Sequence, residues 1–251
     1  MALVETEALI LRTYNLAEAD KIVVCLTRNA GLIRGVARGS RRIKNRFGAA
    51  LEPFTLLNVA YYQKENQELV SLRQVDIVQS YFELSRNPET LAALAYMGDL
   101  VVEFSPPHQT NDKLFRMLRA CLEAVTHGPE ELQSILRYFE IWILRLEGFL
   151  PDLRRCAECH GLFAEGDAVF IGAEPGLRCR RCAAGRCELL SERAYLELCA
   201  AQRMGPKVFA LKSRRVSAGT RREIAELTHR LIGRALERQP RVQPTFQALR
   251  F

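Results

Sequence analysis

Four cysteines carry the clearest chemistry in the sequence. In "CAECHGLFAEGDAVFIGAEPGLRCRRC", Cys156-x-x-Cys159 is followed by nineteen residues and then by Cys179-x-x-Cys182. A Cys-x-x-Cys turn directs two thiolates at one point. Two such turns, brought together by an intervening hairpin, close a tetrahedral shell of soft ligands at a spacing usual for zinc. Four protein ligands leave no open coordination position, so the expected cofactor is one structural Zn2+ per chain. The same spacing could make disulfides, but the reducing compartment argued below disfavours them. Cys187 and His160 lie close by and are read as bystanders, because they break the paired symmetry. The basic residues around the site (Arg154, Arg155, Arg178, Arg180, Arg181 and Arg186) either touch phosphate or ease thiolate repulsion while facing solvent.

A second constellation is electrostatic. Between Arg34 and Arg46 the chain places Arg34, Arg38, Arg41, Arg42, Lys44 and Arg46 among thirteen positions, with no acid. Gly35, Gly39 and Gly48 punctuate the stretch, and Phe54, Tyr61 and Tyr62 follow it. Arginines clamp phosphate bidentately, glycines let backbone approach it, and aromatics on a barrel face can stack bases. The six cations are therefore the candidate nucleic-acid-binding residues. Catalytic patterns are missing: there is no phosphate-binding Gly-x-x-x-x-Gly-Lys loop, no His-Glu-x-x-His and no nucleophile elbow. The histidines, at 108, 127, 160 and 229, are scattered. The expectation is a binding protein with no small-molecule substrate.

These groups need elements to position them. Residues 1–80 read as five short strands: "EALILRTYNL", "KIVVCLTRN", "GLIRGVARG", "FTLLNVAYYQ" and "LVSLRQVDIVQS". The basic excursion follows the third. A five-stranded OB-fold barrel fits this order, with an SH3-like barrel as the rival that strand counting leaves open. From residue 81 the period becomes helical. Asn87 caps a helix with Pro88 at its first position, ending at Pro106–Pro107. "NDKLFRMLRACLEAV" makes a second helix. A third begins near Pro129 with Glu130 and Glu131 at its positive end, and its apolar faces around Phe139 and Trp142 predict burial. Beyond the cysteines, Ser191 caps one helix and Thr220-x-x-Glu223 reads as a capping box for another. In the latter, Ile224, Leu227, Leu231 and Ala235 form a stripe, with Arg222, Arg230, Arg234 and Arg238 largely elsewhere.

The fold class is thus α+β and multidomain. An OB-fold spans 1–80, an α-helical domain spans 81–150 and 188–251, and a four-cysteine zinc finger spans 151–187. Charge follows the same division: +3 over 1–80, −4 over 81–150 and +8 over 151–251, within a net +7. A basic chain suits an anionic partner. No apolar run is long enough to span a bilayer, and "MALVETEALI" has glutamates where a signal peptide would have lysine or arginine. The expected setting is cytoplasmic, without a membrane partner. Cys25, Cys121 and Cys199, each alone in apolar surroundings, read as buried thiols.

Taken in order, these segments resemble the bacterial recombination and DNA-repair RecO family. "GLIRGVARGSRRIKNRFGAALEPF" is similar to that family's basic, glycine-framed segment ending in Leu-x-Pro-Phe, here Leu51, Pro53 and Phe54. "EGFLPDLRRCAEC" resembles its lead-in to a four-cysteine site. The resemblance implies a non-enzymatic mediator, cytoplasmic and associated with the nucleoid. Such a protein would bind single- and double-stranded DNA and anneal complementary strands. With RecR it would help load RecA on DNA coated by single-strand-binding protein. It places the DNA role on Arg38, Arg41, Arg42, Lys44 and Arg46, and the metal role on the four cysteines. Two other readings stay open from the residues themselves: an RNA-binding OB/zinc protein, and an adaptor whose basic surface docks acidic protein tails.

Overall fold

The structure, a computed structural model, describes residues 2–63, 68–106, 109–125, 131–172, 176–185 and 187–236. Pro107, Pro129, Glu130, Arg186 and Arg238, invoked above, lie outside them, as do His108 and His127.

Five strands close a barrel: β1 (Ala2–Leu16), β2 (Asp20–Thr27), β3 (Gly31–Ala37), β4 (Thr55–Gln63) and β5 (Leu69–Ser80), in the order β1-β2-β3-β5-β4. Length makes the closure possible. The first half of β1 pairs antiparallel with β4, from Ala2↔Gln63 to Leu9↔Leu56, and its second half pairs with β2, from Ala8↔Thr27 to Leu16↔Asp20. A register shift between Ile10 and Arg12 bends the strand between its two partners. The last seam is parallel, Arg34–Val36 of β3 against Leu69–Ser71 of β5. That seam is the OB-fold closure and sets aside the SH3-like alternative. Inside lie Ile10, Val23, Cys25, Ile33, Leu57 and Leu72. Burial pushes the Cys25 thiol up to about 12, so it packs as a small apolar group.

Helix α1 (Pro88–Phe104) starts as its sequence predicts: the Asn87 side chain accepts from the Thr90 N–H, and Pro88 occupies the first turn. Helix α2 (Asp112–Val125) is capped in the same way by Asn111, whose Oδ1 accepts from the Leu114 N–H at 3.0 Å. Both helices group with the barrel in one compact unit, 1–129, and residues 130–251 form another. The boundaries at 80, 150 and 187 thus divide the chain by element type, whereas contacts divide it at 129. Ion pairs tie the first unit together, Arg12 to Asp99 and Arg28 to both Glu7 and Asp112.

The second unit is built on α3 (Leu132–Leu146), the buried helix its composition predicts: Ile135, Leu136, Phe139, Ile141 and Leu144 are all inaccessible. Around it pack α5 (Pro206–Ser213) and α6 (Ala218–Ala235), with α4 (Glu192–Ala201) touching all three. The Trp142 indole N–H donates to the Ala201 carbonyl at 2.8 Å. A wholly buried carboxylate, Glu140, meets Arg137 at 2.8 Å and His229 at 3.3 Å and accepts from the Thr228 hydroxyl. Ser191 caps α4 as expected. The capping box of α6 does not form. Ser217, three residues upstream of Thr220, is the true cap and accepts from the Thr220 N–H. Glu223 is thereby released to accept from the Ser191 N–H and hydroxyl, tying α6 to the start of α4. Ile224, Leu227 and Leu231 are buried as expected. Ala235 is only partly covered, and so is Cys199, which sits on α4 rather than in a core.

Candidate nucleic-acid interface and metal centre

The chain between β3 and β4 is a pinned loop. At its base, the Gly39 N–H donates to Asp20 Oδ1 at 2.7 Å. The Arg41 N–H and guanidinium donate to the Ala19 and Ala17 carbonyls of the β1–β2 turn. A turn follows, with the Arg42 N–H donating to the Gly39 carbonyl, and Gly39 has the positive φ (71°) that glycine tolerates. Asn45 closes the far side: its amide donates to the Arg42 carbonyl, and its oxygen accepts from the Phe47 and Gly48 N–H groups. Phe47 and Leu51 then anchor the loop in the barrel core.

All six cations, Arg34, Arg38, Arg41, Arg42, Lys44 and Arg46, are exposed. Among the described residues none is paired with a carboxylate. Arg12, Arg28 and Arg119, elsewhere in the same unit, are all paired. Arg46 spreads over the Phe47 ring and donates to the Leu72 carbonyl at 3.1 Å, which fixes its stem on the barrel. The loop adjoins the β1–β2 turn, the edge where OB-folds receive oligonucleotides.

The aromatic part of the expectation is corrected. Phe54 and Tyr61 are 3% and 1% exposed and belong to the packing, so neither can stack a base. Strand alternation sends Tyr61 inward and leaves Tyr62 partly exposed, paired with Arg73 by a 2.7 Å hydrogen bond. Gly35 likewise serves the core, since a Cβ there would lie 2.6 Å from Leu72 Cδ2. Asp20 and Asn45, which hold the loop in place, were missed. Asn45 sits inside the Gly- and Arg-rich run as a turn-forming Asx residue, whereas Asp20 starts β2 and meets the loop only through the barrel's tertiary structure.

The four cysteines converge. Their sulfurs lie within 4.8 Å of one another, with Cys159 Sγ and Cys179 Sγ 3.9 Å apart. A tetrahedral zinc shell with bonds of about 2.3 Å has sulfur–sulfur edges of about 3.8 Å, so the donor set fits a metal ion of that kind. The first turn is closed by the Cys156 N–H to the Gly161 carbonyl, the His160 N–H to the Cys156 carbonyl, and a bridge between Arg155 and Leu162. The second follows strand β7 (Leu177–Cys179), which pairs with β6 (Val169–Ile171); β8 (Glu188–Leu190) completes the sheet. Gly176, with φ 118°, lets the turns approach, because a Cβ there would lie 2.4 Å from Ala157 Cβ. Burial opposes ionisation of Cys156, but N–H groups of Cys159, Cys179 and Glu158 outweigh it and bring the thiol down to about 6. Cys182 is pushed up to about 12 because its S–H donates to Cys179 and Cys159. Cys187 turns to the Ala184 carbonyl and stays outside the cluster.

Comparison with known proteins decides the family. The model described as "Recombination protein O N terminal" matches residues 1–81, and "Recombination protein O C terminal" matches residues 85–244. The chain belongs to the RecO family. Among RecO relatives, "DNA repair protein RecO" of Anaeromyxobacter sp. (strain K) is 36% identical over 182 residues, 72% of this chain and 71% of that protein. The protein of the same name in Koribacter versatilis is 37% identical over 70% of each chain. That of Geobacter metallireducens is 34% identical over 86% of this chain and 87% of its own. Among the described residues no helix is long and apolar enough to cross a membrane.

Proposed function

We propose that this RecO-family chain is a non-enzymatic recombination mediator in DNA repair. It binds single- and double-stranded DNA and anneals complementary strands. With RecR it assists RecA on DNA coated by single-strand-binding protein, working in the cytoplasm at the nucleoid. The observation that carries the reading is the basic run from Arg34 on β3 through the β3–β4 loop: six exposed cations without a carboxylate partner, five of them on loop backbone fixed by Asp20 and Asn45. Bringing two strands together opposes two lines of phosphate charge. Preplaced guanidinium groups offset that repulsion and release counterions as they bind. The relatives' shared name, DNA repair protein RecO, points the same way.

The metal is proposed to be one structural Zn2+. Cys156, Cys159, Cys179 and Cys182 would fill its tetrahedral shell and leave no site for water or substrate. Its role would be to hold the two turns and the small sheet together, not to take part in a reaction.

The test is annealing of complementary oligonucleotides precoated with single-strand-binding protein, wild type against Arg38→Ala/Arg41→Ala/Arg42→Ala. Annealing by wild type and its loss in a variant with an unchanged melting curve is the expected result. No annealing by wild type, or preference for structured RNA in competition, would overturn the reading.

A further inference from the structure

The loop that carries the cations also carries one large apolar side chain that it does not bury. Ile43 is 102% exposed, and the next large apolar residue among those described, Leu162, reaches only 62%. The loop's other large apolar residues, Phe47, Leu51 and Phe54, are all buried. Ile43 is not loose either. The hydrogen bond from the Asn45 amide to the Arg42 carbonyl encloses Ile43 and Lys44 between its ends, so these two residues form the tip of the loop. The preceding turn, Arg42 N–H to Gly39 carbonyl, fixes the approach to that tip. Arg42 and Lys44 flank Ile43 directly, both exposed.

An isolated exposed isoleucine needs no explanation on an ordinary surface. A β-branched side chain, stiff at χ1, held at the apex of a pinned loop and flanked by cations without acids, is a different object. Its surroundings attract phosphate, and what lies beside phosphate is a nucleobase. In proteins that bend duplex DNA, apolar side chains such as isoleucine, set beside Arg and Lys, insert between base steps. Resting on the proposed DNA-binding role of this loop, we propose that Ile43 is a base-contacting wedge: it packs against unstacked bases of single-stranded DNA while the flanking cations hold the backbone. Single strands are the favoured target because their base faces are already open, whereas an intact duplex must first be unstacked. Ile43 would thereby keep neighbouring bases apart and available for a second strand.

The experiment separates bases from phosphates. Binding to a thymidine oligonucleotide and to an abasic oligonucleotide of equal length is measured by fluorescence anisotropy, for wild type and Ile43→Ala. Because the side chain touches solvent alone, the substitution leaves the fold intact. The expected result is a loss of about five- to tenfold on the thymidine strand, the worth of roughly half-burying three methylene equivalents, with abasic affinity and salt dependence unchanged. A second variant, Ile43→Trp, is expected to show indole quenching on the thymidine strand and none on the abasic one. Equal affinities of wild type and Ile43→Ala on both strands, or equal losses on both, would overturn the wedge. So would unchanged DNA binding with lost annealing on protein-coated strands, which would assign Ile43 to a protein contact. If removal of Arg38, Arg41 and Arg42 leaves the salt dependence intact, the parent reading fails. If that dependence flattens and Ile43→Ala has no base-specific effect, the wedge alone fails.

Discussion

Removing the metal should melt the cysteine insert and leave the helices standing. The insert and the strand β8 that completes its sheet offer little else to hold it: three strands of three residues each among the described residues, and a few buried apolar side chains, Leu153, Val169, Ile171, Leu177 and Leu190. Strands that short do not persist without a second source of order. At a free metal concentration one thousand times the dissociation constant, binding contributes about 4 kcal/mol, a thousandfold in the opening equilibrium. The full binding free energy is about 10–16 kcal/mol if the site resembles zinc-finger peptides. Native-state hydrogen exchange reads this directly. The Cys156, Ala157, His160, Cys182 and Ala183 N–H groups all donate to carbonyls within the insert. On chelation, or in Cys179→Ser, their protection should fall at least a thousandfold, while amides around Phe139 in α3 hold theirs. The binding should also depend on pH. Cys182 keeps its proton up to about 12, so the metal must displace it, and apparent affinity should rise about tenfold per pH unit for each proton displaced. Chelated protein with unchanged protection at Cys156 and Ala157 would refute a structural metal.

Two further predictions concern groups away from the cysteines. Burial opposes ionisation of Glu140, but Arg137, His229 and Thr228 together hold its carboxyl below the ordinary value of 4.5. A depressed folded-state pKa contributes stability above the unfolded value and loses it as pH falls through the folded one. Stability should therefore decline below about pH 4.5, and Glu140→Gln, which strands Arg137, should cost about 3–5 kcal/mol at pH 7 and flatten that decline in urea titrations. Asn45→Ala removes three hydrogen bonds that hold the loop tip. It should cost about 1–2 kcal/mol in thermal melts and weaken DNA binding, with the number of counterions released left nearly unchanged.

Much of the fold is legible in the sequence because periodicity states which face is covered. The limits of β5 and the caps of α1 and α4 follow from alternation and from Asn87 and Ser191. Periodicity does not name the partner. That Arg34–Val36 lies parallel to Leu69–Ser71 is a contact between segments more than thirty residues apart, and only this contact separates an OB-fold from its rival. Local motifs mislead where two residues compete for one role: Ser217 and Thr220 both suit a cap, and the upstream serine takes it. At the candidate interface, charge was readable as a run of one sign. The inward turn of Tyr61 and the bracing by Asp20 and Asn45 depend on the register of β4 and the path of the loop. The cysteine spacing needed no tertiary information, since each turn is local.

The most direct test of the account is the salt dependence of single-stranded DNA binding, measured by anisotropy for wild type and for Arg38→Ala/Arg41→Ala/Arg42→Ala. If the six cations, Arg34 on β3 and five on the loop, each neutralise one phosphate, the log–log slope for wild type should be roughly −4, and removing three should bring it to roughly −2. A folded triple variant with the wild-type slope would place the DNA site elsewhere and contradict the account.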